Sequence, residues 1–416
     1  MMPAARGQAT RLLYLGFAFP PGVAGLFPGW NPAGHALETQ MVRELRHHFE
    51  IRSAGVLPFP PPRAEAADPD SGVAHELVLV EKAPELFYRY RSLSRLKAQY
   101  TRWRAEGWEP DAVLVYNLSP IYNQFLRWLR RQVRCPRLIL LLLDSSSLGQ
   151  PVRRAKSFRH RFKPMQVSDA DMLDCFDACI GLSRTTERYF HPKGIPFLWM
   201  PGGCTPSRAL SQLEYPDAME DQAPVRFAYF GALGPHSGVK ALAEIFAAVP
   251  LPTTLDICGY GKQACEVASL AQTCQRLRFR GLLTPVECLR FGRLNDILVN
   301  PRPATHGNEN NFSSKLFEYA LCGRMILTSK LSGVETVLGS HAAYFDPHNF
   351  KESLEAKLHE LASLPRAELN RRGLATQHRV LTEFTWEKQA GRMAQFIERL
   401  CRGKASFEPV REALAA

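Results

Sequence analysis

The sequence predicts an α/β protein of two Rossmann-like, doubly wound domains facing each other across a cleft. Three observations predict it. Short, almost wholly apolar runs alternate with helical segments through the first half, the composition breaks at Pro201-Gly202-Gly203, and a second strand–helix alternation starts at Phe227. A chain of 416 residues is long for one compact domain and comfortable for two.

Residues 12–17 form the first expected strand, which runs into a loop rich in Gly and Pro, and a helix follows over 35–48. Residues 58–70, rich in Pro and Ala, are expected as an exposed loop or insertion. Residues 112–117, 138–144 and 178–183 read as buried strands, because near-continuous apolar runs suit a parallel sheet covered on both faces. Ser119-Pro120 closes the strand ending at Asn117 and starts a helix whose Tyr122, Phe125 and Leu129 share one face. The polar stretch 205–224 has no clear period and is read as the domain linker. Beyond it, residues 227–231, 255–259, 277–281, 296–300, 325–329 and 342–346 read as strands of a second doubly wound sheet. The last helices span 366–401, with a break at Phe384-Thr385-Trp386.

Composition narrows the function class. With 45% hydrophobic and 22% charged residues, the chain has the balance of a soluble globular protein. No apolar run is long enough to cross a bilayer. The apolar residues 12–19 are followed closely by Pro20, Pro21, Gly25, Pro28 and Pro32, which suits a strand entering a loop rather than a signal peptide. The ten cysteines include no Cys-x-x-Cys pair, and Cys175 and Cys179 lie in apolar sequence. They are expected as buried thiols in a reducing cytosol, not as disulfides or metal ligands. The net charge of +12 is uneven. Arg89, Arg91, Arg95, Lys97, Arg102 and Arg104 are interleaved with Tyr88, Tyr90, Tyr100 and Trp103, and further basic runs cover 127–137 and 153–163. Such clusters point to an anionic partner (a membrane surface, nucleic acid or a phosphorylated acceptor) or to solvated helix faces, in even balance.

The informative stretch is 296–329. It reads as a strand, a loop rich in Pro, Gly and Asn, a helix over 313–322, and another strand after Gly323. Phe317, Ala320 and Leu321 share a face expected to be buried, while Ser314, Lys315 and Glu318 share another. Amides of Ser313, Ser314 and Lys315 at a positive helix end favour a phosphate, and Lys315 adds a full charge in the same turn. Glu318, one turn on, can accept two hydrogen bonds from a ribose diol. Read alone, the motif is equally compatible with a hydroxyl-capped helix bearing an exposed Lys–Glu pair.

The run Asn300-Pro301-Arg302, Phe312-Ser313-Ser314-Lys315-Leu316-Phe317-Glu318-Tyr319-Ala320, Cys322-Gly323 and Gly333-Val334-Glu335 resembles glycosyltransferase family 4, especially bacterial enzymes of capsule, exopolysaccharide and O-antigen assembly. The likeness is strong over 226–347, where Phe230-Gly231, Gly238-Val239 and Cys258-Gly259-Tyr260-Gly261 are similar to the family's first two strand ends. It is looser over the first half, at Ala33-Gly34-His35, Asp144 and Ile180-Gly181-Leu182-Ser183. The resemblance implies the GT-B fold, with an acceptor-side domain over 1–204, a nucleotide-sugar domain over 205–385, and a C-terminal helix and tail over 386–416 packing back on the first. It implies retaining transfer of a sugar from a nucleoside diphosphate to a saccharide or lipid-linked acceptor. The expected setting is cytoplasmic, and the basic, aromatic-rich segments of the first half point to peripheral attachment to the inner face of the plasma membrane.

Residue by residue, the resemblance gives Glu318 the ribose and Ser313, Ser314 and Lys315 the donor phosphates. It sets Gly231 and Gly259 at the donor-side strand ends. Gly34 falls where the first loop faces the pyrophosphate or sugar, and Asp144 near the donor sugar or acceptor. The chain departs from the pattern at Asn310, where the family's first glutamate falls, with Glu309 adjacent. Ala232 and Ser237 stand nearest the places of the usual phosphate-binding Arg and Lys. Lys315, with His236, Lys240 or Arg302, is the expected replacement. Lys315, Asp144 and Asn310 are thus the expected catalytic groups. Charge building on the β-phosphate is expected to be stabilised by Lys315 and a helix end, without cofactor or divalent ion. Asp169-Ala170-Asp171 is read as a helix cap or solvated face rather than a metal site. Two other classes fit the sequence less well. A nucleic-acid-binding protein lacks a reading module, and a sugar-nucleotide epimerase shares the fold without the transfer.

Overall fold

The computed structural model describes residues 9–18, 32–57, 74–79, 85–145, 148, 172–206 and 224–403. The Asp169-Ala170-Asp171 stretch, the basic run 153–163 and most of the expected linker lie outside them. The chain divides into two compact units: Met1–Leu182 with Thr186–Met200 and Trp386–Ala416, and Ser183–Thr185 with Pro201–Thr385.

In the first unit the described strands are β1 (Arg11–Leu15), β2 (Glu50–Leu57), β3 (Ala74–Leu79), β4 (Ala112–Tyr116), β5 (Arg137–Leu142), β6 (Ala178–Gly181) and β7 (Phe197–Trp199). They form one sheet in the order β3-β2-β1-β4-β5-β6-β7, with every pairing parallel. Helices α1 (Pro32–Leu45), α2 (Glu85–Ala105) and α3 (Pro120–Leu129) provide crossovers, and α12 (Trp386–Cys401) packs on α1. The central strands are apolar on both faces because helices cover both; Leu13, Leu15, Val113, Val115, Leu138 and Leu140 are buried in one cluster with Tyr100, Trp103 and Phe125. Tyr122, Phe125 and Leu129 are all buried, as their spacing predicts. β2, β3 and β7 are additions to the sequence reading.

The second unit holds β8 (Arg226–Phe230), β9 (Thr254–Cys258), β10 (Leu277–Phe279), β11 (Ile297–Asn300), β12 (Met325–Ser329) and β13 (Ala343–Phe345). The order is β10-β9-β8-β11-β12-β13, again parallel. Around it lie α4 (Val239–Ala248), α5 (Ala264–Thr273), α6 (Pro285–Arg293), α7 (His306–Asn310), α8 (Lys315–Leu321), α9 (Val334–Leu338), α10 (Phe350–Ala362) and α11 (Arg366–Glu383). A capping box fixes the start of α6: Thr284 Oγ1 accepts from Glu287 N–H, and the Glu287 carboxylate accepts from Thr284 N–H (2.8 Å). Buried Asp296 holds the base of the sheet, accepting from Arg226 N–H (2.8 Å) and facing Arg366 Nε at 3.4 Å. No helix among the described residues is long and apolar enough to cross a membrane. All described cysteines are free thiols, with Cys175 and Cys179 buried.

Candidate functional site

Ligands of doubly wound sheets bind beyond the carboxyl ends of the strands, where the strand order reverses and neighbouring loops diverge. In the second unit that point lies between β8 and β11. The loops leaving these strands meet closely at Gly238 and Pro301. A Cβ on Gly238, whose φ is +71°, would fall 1.7 Å from the Pro301 carbonyl oxygen, so only glycine allows the approach.

Lys315 opens α8 and reaches the end of β8. Its Nζ donates to Tyr229 Oη (2.6 Å) and lies 4.2 Å from the centre of that ring, an arrangement that attracts the ammonium to the π face. Tyr229 in turn donates to the Ala232 carbonyl (2.6 Å). Gly231 has φ +138°, and a Cβ there would meet Lys315 Nζ at 2.7 Å. The bare backbone at Gly231 therefore makes room for the ammonium. Gly259 stands behind it: its N–H donates to Gly281 C=O (2.8 Å), and a Cβ would meet the Gly231 oxygen at 1.9 Å. Gly259 is buried and packs behind Gly231.

Two more basic groups share this field. His236 has its pKa lowered, first by burial and then by the charges of Arg302 and Lys315. Arg302 is pinned by Nε to Asn308 Oδ1 (3.0 Å), Nη2 to the same oxygen, and Nη1 to the Asn311 carbonyl (2.8 Å). Burial draws its pKa down to about 10. Asn308 is itself held by His236 C=O and Pro303 C=O, each at 2.9 Å. Three basic groups that repel one another make a locus in want of an anion. Lys240 is not among them, since its ammonium lies 3.3 Å from Glu266 and 4.0 Å from Glu244.

α8 runs over 315–321, shorter than the helix expected over 313–322. Its first backbone bonds run from Leu316 N–H to Ser313 C=O (3.0 Å) and from Phe317 N–H to Ser314 C=O (3.1 Å), so the amides of Ser314 and Lys315 precede the helix's own bonding. Leu316, Phe317, Tyr319, Ala320 and Leu321 are buried, whereas Ser314 and Glu318 are exposed. The Ser313 hydroxyl points to Asn300 Oδ1 (3.4 Å) and so belongs to the sheet, leaving the exposed Ser314 hydroxyl for a ligand. The Glu318 carboxylate is open to solvent on one side and crowded by protein on the others. That crowding raises its pKa, and the charge of Lys315 opposes the rise. Tyr319 locks the helix to the strand end, donating to Phe230 C=O (3.0 Å) and accepting from Phe230 N–H (3.1 Å).

Asn310 is 1% exposed; its Nδ2 donates to His306 C=O (3.0 Å), and its Oδ1 accepts from Thr185 Oγ1 (3.3 Å). The amide thus organises the α7 turn. The neighbouring carboxylate, Glu309, is half-buried.

In the first unit the order reverses between β1 and β4. Gly34 lies half-buried in the first turn of α1, where the Ala33-Gly34-His35 stretch opens the helix. Asp144 is exposed just past β5, where its N–H, like that of Leu143, donates to Asn117 Oδ1 (2.9 and 2.8 Å). The sequence reading missed Glu38, buried beside Tyr14 and Tyr116 at the same end of the sheet. A glutamate on an amphipathic helix carries no signal of burial, and its partners lie far away in sequence.

Residues 241–396 match the model of a family described as glycosyl transferase-like. No curated protein matches the chain. Among solved structures, sucrose-phosphate synthase from Thermosynechococcus elongatus is similar at 14% identity and TM-score 0.67, over 94% of this chain and 99% of that one. The lipopolysaccharide outer core galactosyltransferase WaaB in its apo form is similar at 13% identity and TM-score 0.63, over 94% and 100%. HepE of Anabaena in complex with UDP-glucose is similar at 14% identity and TM-score 0.60, over 93% and 99%. At these identities the structural likeness speaks for the fold, GT-B, and the family match for the class of enzyme.

Proposed function

We propose that this chain, whose residues 241–396 match a glycosyl transferase-like family and whose fold is GT-B, is a glycosyltransferase that moves a sugar from a nucleoside-diphosphate sugar to a saccharide or lipid-linked acceptor, with retention of configuration. The observation that carries the reading is the cationic group at the β8/β11 switch point. Lys315 stands against bare backbone at Gly231, with His236 and Arg302 close by. A diphosphate seated there meets the ammonium, the amides of Ser314 and Lys315 and the imidazole. Glu318, a helical turn on, takes the ribose hydroxyls. As the bond to the sugar breaks, negative charge grows on the β-phosphate. A preorganised cation lowers the barrier because it interacts more strongly with that state than with the ground state, and no divalent ion is needed for this role. UDP-glucose, bound by HepE of Anabaena, is the first donor to try.

For the acceptor, the reading favours a surface-polysaccharide intermediate on a lipid carrier. Arg91, Arg95 and Arg102 are exposed on α2, alongside Tyr90, which is 73% exposed. Such a stripe suits peripheral contact with the anionic inner face of a plasma membrane.

The test has two stages. A thermal-shift screen of nucleotide sugars identifies the donor, since a ligand that binds only the folded state raises Tm. Product analysis with saccharide and lipid-linked acceptors follows. Stabilisation by one donor and its sugar found on an acceptor are expected. Isomerised nucleotide sugar without transfer, or no stabilisation by any donor, overturns the reading.

A further inference from the structure

One buried side chain holds the end of β1 at the switch point of the first unit. Glu38, in the second turn of α1, is 2% exposed. Its Oε2 accepts from Tyr14 Oη (2.5 Å) and from Phe17 N–H (2.8 Å). Tyr14 belongs to β1 and Phe17 lies two residues beyond its end, while Tyr116, the last residue of β4, stands close enough for its phenol to feel the carboxyl's charge. The carboxyl thus fixes the direction in which the chain leaves β1.

A buried carboxylate is costly unless paired with a cation or fully hydrogen-bonded. Glu38 forms no salt bridge among the described residues. Packing alone would be served as well by an apolar side chain or a glutamine. The groups that face it are phenols: Tyr14 from β1, Tyr116 from β4 and Tyr122 from α3. On α1 itself, His35 faces Thr39 Oγ1 at 3.4 Å. From α12, which packs on α1, the charged residues are Glu387, Lys388, Arg392, Glu398, Arg399 and, beyond its end, Arg402. Arg392 turns to Trp199 C=O (3.2 Å) and Arg402 to Glu398 (2.8 Å). Past Tyr116 stands Asp144, whose charge also reaches that phenol.

We propose that Glu38 is a positioning residue: its charged carboxylate anchors the segment leaving β1 at the switch point, and uptake of one proton loosens that anchor. Two donors, Tyr14 and Phe17, point at the carboxyl, and the anion is their best acceptor. Protonation neutralises that acceptor and weakens both bonds together. Burial pushes the carboxyl up to about 7, with the bonds from Tyr14 and Phe17 opposing the rise, so the change falls in the neutral range. The anchoring stands on the first unit alone; its effect on catalysis rests on the transferase reading.

The test uses the full chain labelled with ¹⁵N-phenylalanine. Phe17 amide exchange, corrected for its intrinsic pH dependence, is followed across the neutral range together with kcat/KM for transfer. Phe17 protection and kcat/KM are expected to fall together, with the uptake of one proton, as pH drops through about 7. Glu38→Gln abolishes both midpoints. It is expected to fold, because a carboxyl with a raised native pKa destabilises the native state as pH rises through the interval between its unfolded and folded values, and glutamine has no such penalty. Tyr14→Phe removes a donor to the anion and shifts both midpoints to higher pH, a displacement that a purely packing role would not produce. An unchanged Phe17 midpoint in Glu38→Gln, or an unshifted one in Tyr14→Phe, overturns the anchoring. If the wild type transfers sugar and Glu38→Gln keeps the same acid limb, the catalytic effect is overturned while the transferase reading stands. If the Phe17 midpoint behaves as expected and no sugar is transferred, the transferase reading fails and the anchoring stands.

Discussion

Substituting Gly231 by alanine tests whether bare backbone at the end of β8 exists to seat Lys315. The new methyl would lie 2.7 Å from Nζ and 3.1 Å from Cε, so the ammonium must retreat by about 0.7 Å to reach ordinary van der Waals contact. A lysine tail yields cheaply, so the clash adds little to the stability cost. The backbone does not yield: φ at Gly231 is +138°, and holding a residue with a Cβ there costs about 1–3 kcal/mol. For a domain of this size that is a drop in Tm of about 2–12 °C. The functional cost comes from moving the cation off Tyr229 and away from the diphosphate. Losing one charge-assisted bond, about 1.5–3 kcal/mol, lowers kcat by about 10- to 150-fold. Steady-state kinetics below the lowered Tm, on Gly231→Ala, Lys315→Ala and the double variant, separates this from general damage. If the glycine acts through the lysine, the double variant is little worse than Lys315→Ala. Wild-type kcat in Gly231→Ala, or additive losses in the double variant, refutes the reasoning.

Three further outcomes follow from particular contacts. Gly373→Ala would set a Cβ 2.5 Å from the Arg324 carbonyl carbon and 2.6 Å from the Gly323 oxygen; because these are backbone atoms, α11 must shift, and thermal unfolding should show a loss of about 1–3 kcal/mol or more. His236 has a pKa held below its ordinary value, and a bound diphosphate reverses that by supplying negative charge. Nucleotide-sugar affinity should therefore rise as pH falls through the bound-state pKa and level off below the free-state value, with net proton uptake in calorimetry that His236→Gln abolishes. Replacing Arg91, Arg95 and Arg102 together by serine should weaken sedimentation with anionic vesicles by about 3 kcal/mol at low salt, at about 1 kcal/mol per basic residue, and equal pelleting by the variant would remove the membrane contact.

How much of this was legible in the sequence differs by element. The central strands announce themselves because burial on both faces forces near-continuous apolar runs, as in Arg137–Leu142 and Met325–Ser329. β2 and β3 were missed because Glu50, Arg52, His75 and Glu76 interrupt their apolar character, and β7 because three residues carry no period. That Lys315 and Glu318 share a short helix was readable because one turn relates them. The seat of Lys315 was not, since Tyr229 lies 86 residues away and only the sheet brings it near. The same holds for Asn310, whose chemistry suits a sugar hydroxyl but whose burial depends on Thr185 and the α7 turn. Glu38 gave no warning, because its donors Tyr14 and Phe17 lie 24 and 21 residues before it in the chain.

The central claim is that one short helix serves both halves of a nucleotide-sugar donor, Lys315 the diphosphate and Glu318 the ribose. Calorimetric titration of Glu318→Gln with the nucleoside diphosphate of the preferred donor tests it most directly. Glutamine keeps the size and removes the charge that strengthens hydrogen bonds to the diol. Ribose contacts change little during transfer, so the loss should appear as weaker binding of about 1.5–3 kcal/mol, about 10- to 150-fold in Kd, with kcat nearly unchanged. Were Glu318 only a solvent-exposed neighbour of Lys315, the pair would contribute at most about 1 kcal/mol. Wild-type affinity in Glu318→Gln would contradict the account.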